Sequence, residues 1–336
     1  SVQRRRQEQD PTREVRQSLR LRGVIGRSDA FAACLRQIAL VAPLDVSVLL
    51  TGESGTGKSQ LARVLHDNGP RRSGPFVELN CAALPDALVE NELFGAVQGA
   101  HSTATRRMEG RVQAAERGTL LLDEIGDLSL TAQGKLLQLL QSKAYYPLGS
   151  SRPVQADVRV IAATNTDLQA AVREHRFRED LFYRLQVLPV RVPTLAERRT
   201  DIPELAAFFC NEACERHTLA RLSLSRGAIR ALEAASWPGN VRQLAHAVEA
   251  AAIRADGVGA LQIERAHVFP NDAGIEEAEA PRLTFQEATR RFQARLLRET
   301  MEDANWNIVE AARRLDLARS HVYTLIRAFG LERDRP

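Results

Sequence analysis

The sequence predicts an α/β fold with a parallel sheet, followed by two regions that are entirely helical. Before residue 200, short apolar strands alternate with helical patterns, at 46–52, 76–80, 119–124 and 158–165. This alternation is typical of a parallel sheet whose faces are covered by helices. From 201 onward the apolar spacing is helical. With 44% hydrophobic and 26% charged residues, the chain has the composition of a soluble globular protein, which excludes a disordered, collagen-like or disulfide-scaffold chain.

The composition and the patterns divide the 336 residues into five regions. We expect a charged linker at 1–22, an α/β domain at 23–200, an all-helical region at 201–269, a second linker at 270–282 and a further helical domain at 283–336. The net charge of +4 is concentrated at the two ends, because 1–22 carries +4, 282–336 carries +3 and the stretch 270–281 carries −4. A basic terminal domain suits nucleic acid. No apolar run approaches the ~20 residues that a membrane helix needs.

The ends and the cysteines bear on where the protein works. The chain opens on Ser1 and a polar, Arg-rich stretch without an apolar signal-peptide core, so we expect a cytoplasmic protein. The start without Met predicts a fragment or a processed chain, with the sensor upstream. Cys210 and Cys214 lie one helical turn apart, with no second cysteine pair and no His at metal spacing. Small buried residues in a reducing compartment are favoured over a metal or redox site.

A phosphate-binding loop is the most specific motif. Residues 52–59 fit G-x-x-x-x-G-K-[ST] between a strand and a helical pattern. The glycines let backbone N–H groups close around a phosphate, and the helix N-terminus adds its dipole. Lys58 should reach the β- and γ-phosphates of ATP, and the Ser59 hydroxyl should hold Mg²⁺. The predicted nucleotide-binding residues are Gly52, Glu53, Ser54, Gly55, Thr56, Gly57, Lys58, Ser59 and Gln60.

Polar residues at the ends of two later strands complete the expected chemistry. Asp123 would join the metal site, and Glu124 would orient and activate the attacking water. Asn165, at the end of the next strand, is suited to hold that water or the γ-phosphate. Phosphoryl transfer needs this positioning and charge neutralisation rather than covalent chemistry. A solvated turn and an ordinary strand-end Asn are the alternatives, which the upstream phosphate-binding loop disfavours.

Residues from about 23 to 269 resemble the AAA+ domain of bacterial enhancer-binding proteins, the ATPases that activate sigma-54 RNA polymerase. The resembling stretches are IGRSDAF (25–31), GESGTGKS (52–59), FVELNCAALPDALVENELFG (76–95), GTLLLDEIGDL (118–128), AATN (162–165), FREDLFYRL (177–185) and WPGNVRQL (237–244). The resemblance implies an AAA+ P-loop ATPase with a parallel sheet and a helical lid.

The resemblance also implies roles for single residues. Asn80 would be a switch that engages Glu124 according to nucleotide state. Arg178 and Arg184 would be arginine fingers that reach the neighbouring subunit's γ-phosphate, since a guanidinium fork suits developing phosphate charge. Arg242 would be the lid's sensor. Fingers acting in trans imply a ring, and the family implies a hexamer. Two exposed helix arginines are the alternative for the finger positions.

The C-terminal segment NWNIVEAARRLDLARSHVYTLIRAFGL (305–331) resembles a Fis-type helix-turn-helix. The resemblance implies binding to double-stranded DNA, with a recognition helix at 319–328 in the major groove. We expect a small core of Leu315, Leu317, Val322 and Leu325, and the small side chains of Ala311 and Ala312 should let two helices cross closely. The predicted DNA-facing side chains are Arg319, Ser320, His321, Tyr323, Thr324 and Arg327. The alternative is a helical hairpin or a dimerisation element.

In the family, the loop that contacts sigma-54 has the sequence GAFTGA, and the present sequence differs from it there. Here the loop is Gly99, Ala100, His101, Ser102, Thr103 and Ala104. An imidazole replaces the aromatic ring, and a flexible glycine is lost. Gln113 and Pro147 stand where the family commonly has a Glu and an Arg. His101 as a metal ligand or base is the other interpretation, but no carboxylate–His constellation surrounds it.

These observations predict an ATP-hydrolysing transcription regulator that binds DNA and remodels RNA polymerase holoenzyme from a ring. The alternative is a nucleotide-gated DNA-binding regulator that acts independently of sigma-54, which the changed loop favours. The intact ATPase residues argue against a passive nucleotide sensor. A third possibility, a replication or protein-unfolding ATPase, is disfavoured by the Fis-like tail.

Overall fold

The computed structural model describes most of the chain, namely residues 10–21, 23–83, 85–98, 108–270, 293–294, 296–298, 300–301, 304, 306–315 and 317–329. The fold separates into two compact units, Ser1–Pro270 and Asn271–Pro336, which are described here one at a time. Within the described part of the chain, no helix combines the length and the apolar surface needed to cross a membrane.

The first unit is built on a parallel sheet of five strands in the order β2-β3-β6-β1-β7. The strands in chain order are β1 Val48–Thr51, β2 Phe76–Asn80, β3 Thr119–Asp123, β4 Ala144–Tyr145, β5 Val154–Gln155, β6 Arg159–Thr164, β7 Leu188–Arg191, β8 Ser223–Leu224 and β9 Gln262–Ile263. The four strands that the sequence predicts are confirmed. The sequence missed β7, whose Pro189 is tolerated because β7 is an edge strand.

Helices cover both faces of the sheet and form the lid. In the first unit they are α1 Arg13–Ser18, α2 Asp29–Val41, α3 Lys58–Asp67, α4 Asp86–Phe94, α5 Arg111–Ala114, α6 Leu130–Ser142, α7 Leu168–Arg173, α8 Glu179–Leu185, α9 Ile202–Arg216, α10 Arg226–Ala234, α11 Asn240–Gly257 and α12 Arg265–Val268, with 3₁₀ turns at Ile125–Asp127 and Ala196–Asp201. The predicted α/β class is confirmed.

The core lies on the two faces of the sheet because successive strand side chains point to opposite sides. Leu120 and Leu122 of β3 pack with α6 and α8 on one face. Leu121 of β3 packs with α2 and α3 on the other face. The central strands β1, β3 and β6 are therefore buried on both faces, and Thr51, Asp123 and Thr164 stand at their carboxyl ends.

The N-terminal segment differs from a simple charged linker. Residues Arg13–Ser18 form α1, and Val15 and Leu19 are buried with the core beside α2. Arg16 donates from Nη2 to the carbonyl of Gly26 at 2.6 Å. The many arginines of this stretch suggested a solvated linker, but Val15 and Leu19 form an apolar pair at i, i+4 spacing. Such a pair is enough for one short packed helix.

The lid is α9 to α12 around its own apolar core, with Leu205, Leu232, Leu244 and Val248 buried. The all-helical pattern missed the two-residue parallel pair β8–β9. This lid core also contacts Ile25, which lies just before α2. The lid is thereby joined to the start of the α/β part.

The second unit contains α13 Ile308–Arg314 and α14 Arg319–Phe329, and the described residues between 293 and 301 are also helical. As predicted, Val322 is buried, with Leu315 and Leu325 packed against its cluster, and Ala311 and Ala312 are buried in the same cluster. The prediction for Leu317 was wrong, because its side chain is 36% exposed. Leu317 lies in the turn before α14, outside the periodicity of either helix.

Candidate functional site

The phosphate-binding loop connects β1 to α3, and its backbone depends on two glycines. Gly57 immediately precedes α3 with φ of +102°, in the left-handed region. Gly55 has φ of +77° and lies so close to the lid that an added Cβ would be 2.2 Å from the carbonyl oxygen of Gly239. A side chain at either position would strain the backbone, and at Gly55 it would also push the lid away.

Lys58 lies at the centre of the loop and is 5% exposed. Its ammonium donates to the carbonyl of Gly52 at 2.9 Å and to that of Glu53 at 3.2 Å. The same nitrogen is 3.8 Å from Oε1 of Glu124. A buried ammonium held by carbonyls and a carboxylate is in place to meet an anion.

The predicted metal residues lie together. The Ser59 hydroxyl donates to Oδ2 of Asp123 at 3.0 Å, and Oδ1 of Asp123 accepts from the Glu124 N–H at 3.1 Å. Glu124 itself has φ of +52°, and its Oε2 accepts from the backbone N–H of Asn165 at 3.1 Å. The start of α3 and the carboxyl ends of β3 and β6 therefore meet at one point, with Glu124 between Lys58 and Asn165.

A cleft of about 240 Å³ opens above these residues. Its floor is polar and comes from the loop and β3, while its far wall is supplied by Phe209, Val241, Arg242 and Ala245 of the lid. Arg242 donates from Nη1 to the Ser54 hydroxyl at 3.2 Å. The cleft thus lies between the sheet and the lid.

Asn80 ends β2 directly opposite Asp123 in the sheet register. Its side-chain oxygen accepts from the N–H of Ala82 at 2.9 Å. The predicted engagement of Glu124 by Asn80 is a nucleotide-dependent contact and stays a prediction. The neighbouring Cys81 is buried, and burial together with the Asp123 carboxylate raises the pKa of its thiol to about 12.

The two predicted finger residues lie away from the cleft. Arg178 precedes α8 and holds Asp180 with two hydrogen bonds, from Nε at 3.1 Å and from Nη2 at 2.8 Å. These bonds lower the pKa of the Asp180 carboxyl. Arg184 donates to the carbonyl of Leu140 at 3.1 Å. Neither arginine lines the cleft beside Lys58, so their role as fingers stays a prediction.

Three buried polar residues at this site were not predicted. Asn240 is 1% exposed, Arg198 is 3% and Asp201 is 2%. Asn240 and Arg198 contact the phosphate-binding loop, and burial lowers the pKa of the Arg198 guanidinium. Each contact joins residues more than 140 positions apart, so no spacing in the sequence indicates it. The one available signal was that Asn240 and Arg242 share the GNVR stretch.

The altered contact loop, residues Gly99, Ala100, His101, Ser102, Thr103 and Ala104, lies outside the described residues, but its base does not. Ala96 bridges Met108 on one side and Leu148 on the other. Two ion pairs tie α4 at this base to its neighbours, Glu92 to Arg111 at 3.0 Å and Glu90 to Lys135 at 2.6 Å. Backbone bridges and two ion pairs therefore hold the base, although Gln113 and Pro147 are neutral where the family commonly has a charged pair.

The second unit presents its predicted DNA-facing helix to solvent. In α14 the exposed side chains include Arg319, Ser320, His321, Tyr323 and Thr324. Arg327 also belongs to α14, but its side chain lies outside the described part. Val322 faces the core of the unit, so the exposed residues form the opposite face of an amphipathic helix.

The loop, the acids at the ends of the strands and the lid define an AAA+ P-loop ATPase, and a separate helix-turn-helix unit follows it. Three family models match the chain: "Sigma-54 interaction domain" over 24–191, "AAA+ ATPase lid domain" over 196–282 and "Bacterial regulatory protein, Fis family" over 288–328. The chain belongs to the family of sigma-54-dependent transcription activators, whose sigma-54 interaction domains are AAA+ ATPases.

Sequence identity to individual regulators supports this family membership. The chain is 42% identical to the transcriptional regulatory protein GlrR of Escherichia coli over 92% of its length and 68% of GlrR. It is 39% identical to the anaerobic nitric oxide reductase transcription regulator NorR of Klebsiella pneumoniae, over 93% of its length but 63% of that protein. The chain therefore spans about two thirds of these relatives.

Solved structures show the same fold. NtrX from Brucella abortus in complex with ATP superposes with a TM-score of 0.70 and 31% identity, over 98% of this chain and 74% of NtrX. A mutant form of RuvB from Thermotoga maritima superposes with a TM-score of 0.52 at 13% identity, over 94% of this chain and 92% of RuvB. The RuvB likeness concerns the fold alone.

Proposed function

We propose that this chain hydrolyses ATP in a ring in order to activate transcription by the sigma-54 RNA polymerase holoenzyme, while its Fis-type unit binds double-stranded DNA. The observation that carries the proposal is the meeting of Ser59, Asp123 and Glu124 below the cleft, with the Ser59 hydroxyl 3.0 Å from Asp123. With DNA and RNA polymerase as its partners, the protein would work in the cytoplasm. The ATP complex of NtrX supports ATP as the nucleotide.

The residues present fit a magnesium ion. The hydroxyl of Ser59 and the carboxylate of Asp123 are hard oxygen ligands, which Mg²⁺ uses together with phosphate oxygens and water. When bound, Mg²⁺ neutralises charge on the β- and γ-phosphates. Lys58, 3.8 Å from Glu124, is placed to leave this carboxylate for the phosphates.

Glu124 is the group that we assign to the attacking water. Its Oε2 is held by the N–H of Asn165 at 3.1 Å, so the carboxylate is oriented before substrate enters. It accepts the water's proton as the water oxygen bonds to the γ-phosphorus, while the bond from that phosphorus to the β–γ bridging oxygen breaks and ADP leaves with that oxygen. The Asn165 side chain, which is exposed at the same strand end, is placed to hold that water.

We propose a ring because of Arg178 and Arg184, the two arginines at α8. Phosphoryl transfer gains from a guanidinium at the γ-phosphate, and neither Arg178 nor Arg184 lines its own subunit's cleft. Both side chains are exposed, with Arg178 held by Asp180 and Arg184 by the Leu140 carbonyl. A neighbouring subunit would receive them, which favours a closed ring, and the family indicates a hexamer.

The catalytic assignment is tested with Glu124→Gln. This variant removes the proton acceptor but keeps the shape, so we expect ATP turnover to fall by at least ~100-fold with ATP binding retained. Glu116→Gln is the matched control, because Glu116 is an exposed glutamate outside the cleft. Unchanged turnover in Glu124→Gln would sink the assignment.

The ring assignment is tested by mixing two inactive variants. Glu124→Gln lacks the base but has its fingers, whereas Arg184→Ala lacks one finger but has its base. Mixed rings place an intact cleft beside an intact finger, so ATP turnover should recover in the mixture. Recovery that never exceeds the sum of the separate proteins would refute fingers acting in trans.

A second candidate function is favoured by the changed loop sequence. With His101 in place of the aromatic residue, and with Gln113 and Pro147 uncharged, the chain would be a nucleotide-gated DNA-binding regulator that does not remodel sigma-54. Purified protein, sigma-54 and an ATP transition-state analogue should form a complex under the first proposal. Failure to form it, with activation of a promoter read by the housekeeping sigma factor, would favour the second. Gain of sigma-54 binding in His101→Phe would show that the substitution is the cause.

A further inference from the structure

The outer side of the phosphate-binding loop is covered by the lid and the 3₁₀ turn that leads into it. Three consecutive loop carbonyls accept hydrogen bonds from this side. The bonds run from Asn240 Nδ2 to Ser54 O at 3.1 Å, from the Arg242 N–H to Gly55 O at 3.2 Å and from Arg198 Nη2 to Thr56 O at 3.0 Å. The loop is thus held by donors along its whole outward edge.

The direction of these carbonyls fixes the direction of the loop's N–H groups. In a trans peptide the C=O of one residue and the N–H of the next point to opposite sides. Because the carbonyls of residues 54, 55 and 56 point to the lid, the N–H groups of Gly55, Thr56 and Gly57 point the other way, into the loop. Converging N–H groups are what a phosphate-binding loop requires.

Asn240 is the buried lid residue whose side chain bonds to the phosphate-binding loop. It is 1% exposed and has φ of +50°, a left-handed conformation that asparagine adopts more readily than most residues. Its Nδ2 donates to Oε2 of Glu53 at 3.0 Å as well as to Ser54 O, and its Oδ1 accepts from the Leu195 N–H at 2.7 Å. One amide therefore joins the loop to the lid with donors and an acceptor.

We propose that Asn240 is a positioning residue of the phosphate site, which holds the Glu53–Ser54 part of the loop so that the N–H groups beyond it face the phosphate. Asn240 has no contact with the nucleotide in this role and acts through the loop backbone. The inference rests on the proposed nucleotide site. It also makes phosphate binding and lid position interdependent, since movement of α11 displaces a loop peptide.

The test is the affinity of the purified full chain for ADP and ATP in Asn240→Asp. The aspartate keeps the size and the acceptor for Leu195, but it puts a carboxylate against Glu53 and the Ser54 carbonyl. We expect the Kd for both nucleotides to rise by about 10-fold to 100-fold. The KM for ATP should rise in parallel, with kcat at saturation within about threefold, as for lost uniform binding.

Asn68→Asp is the matched control. Asn68 follows α3 at the end remote from the loop, and its amide also donates to two carbonyls and accepts from one N–H. This variant should bind nucleotide like the wild type. The added Glu53→Gln change should restore part of the affinity of Asn240→Asp, because a glutamine amide can donate to the new carboxylate. A merely structural role predicts no such rescue.

Equal ADP affinity in wild type and folded Asn240→Asp would overturn the inference and leave the proposed function standing. A wild type that binds no nucleotide would instead overturn the proposed function. If Asn240→Asp fails to fold, Asn240→Gly is measured in the same way, because glycine accepts the positive φ without strain. It should show the same rise in Kd, and unchanged affinity in this variant would equally refute the role of the side chain.

Discussion

Asp201 should contribute more to the stability of the first unit than any surface charge near it. It lies where the 3₁₀ turn enters the lid and is 2% exposed. Its Oδ1 accepts from the N–H groups of Arg27 at 2.7 Å and Ser28 at 2.8 Å, and its Oδ2 accepts from the Ser28 hydroxyl at 2.7 Å. One carboxylate thus anchors the turn before α2 to the start of the lid.

The expected loss follows from those three bonds. Each hydrogen bond to a charged group contributes about 1.5–3 kcal/mol, and burial of the carboxylate offsets part of the total by several kcal/mol. Asp201→Ala strands two partly buried N–H groups and removes a negative charge that acts on Arg198. We expect the free energy of unfolding to fall by about 3–5 kcal/mol, as when one partner of a buried pair is removed.

Two further variants sharpen this prediction. Asp201→Asn keeps an acceptor for both N–H groups and should cost about 1–2 kcal/mol. Glu204→Ala removes an exposed carboxylate that also contacts Arg27, at 3.3 Å, and should cost less than about 1 kcal/mol. Urea unfolding followed by circular dichroism measures all three. A loss for Asp201→Ala no larger than that for Glu204→Ala would refute the reasoning.

Two other predictions concern the packing of each unit. Gly55→Ala should abolish nucleotide binding and open the lid, because the new Cβ would be 2.2 Å from the Gly239 carbonyl oxygen. A nucleotide titration measures the binding, and tryptic cleavage measures the opening of the lid. Tight nucleotide binding by this variant would contradict the prediction. Ala311→Leu should unfold the second unit and abolish DNA binding while ATP turnover of the first unit persists, because Ala311 is fully buried. Val309→Leu, at a position 50% exposed, is its control in the same DNA-binding assay, and equal behaviour of the two variants would contradict the packing argument.

The parts of the site that depend on local backbone geometry could be predicted from the sequence. The glycines of 52–57 and the Lys58-Ser59 pair specify a strand, a turn with left-handed residues and a helix, all within one stretch. Asp123 and Glu124 could be predicted because they end an apolar strand, and parallel strands end at one edge.

The parts that depend on distant pairs could not be predicted. Asn240 reaches Glu53 across 187 positions and Arg198 reaches Thr56 across 142, and neither separation leaves a trace in periodicity. The strand β7 contains Pro189, which usually argues against a strand. Val15 is buried in the core, although the arginines around it made this stretch of the sequence look exposed to solvent.

The predicted contact loop and the ATP site are connected through the backbone of β2 and α4. Asn80 of β2 lies opposite Asp123, and the Cys81 N–H donates to the Asp123 carbonyl at 2.9 Å. From there the chain runs through α4 to the loop base, where Ala96 bridges Met108 and Leu148. The substitutions at 101–103 lie outside this connection, whereas Pro147 immediately precedes Leu148 at the base. The changed loop residues are therefore compatible with an unchanged ATP site, and the substitution that adjoins the connection is Pro147.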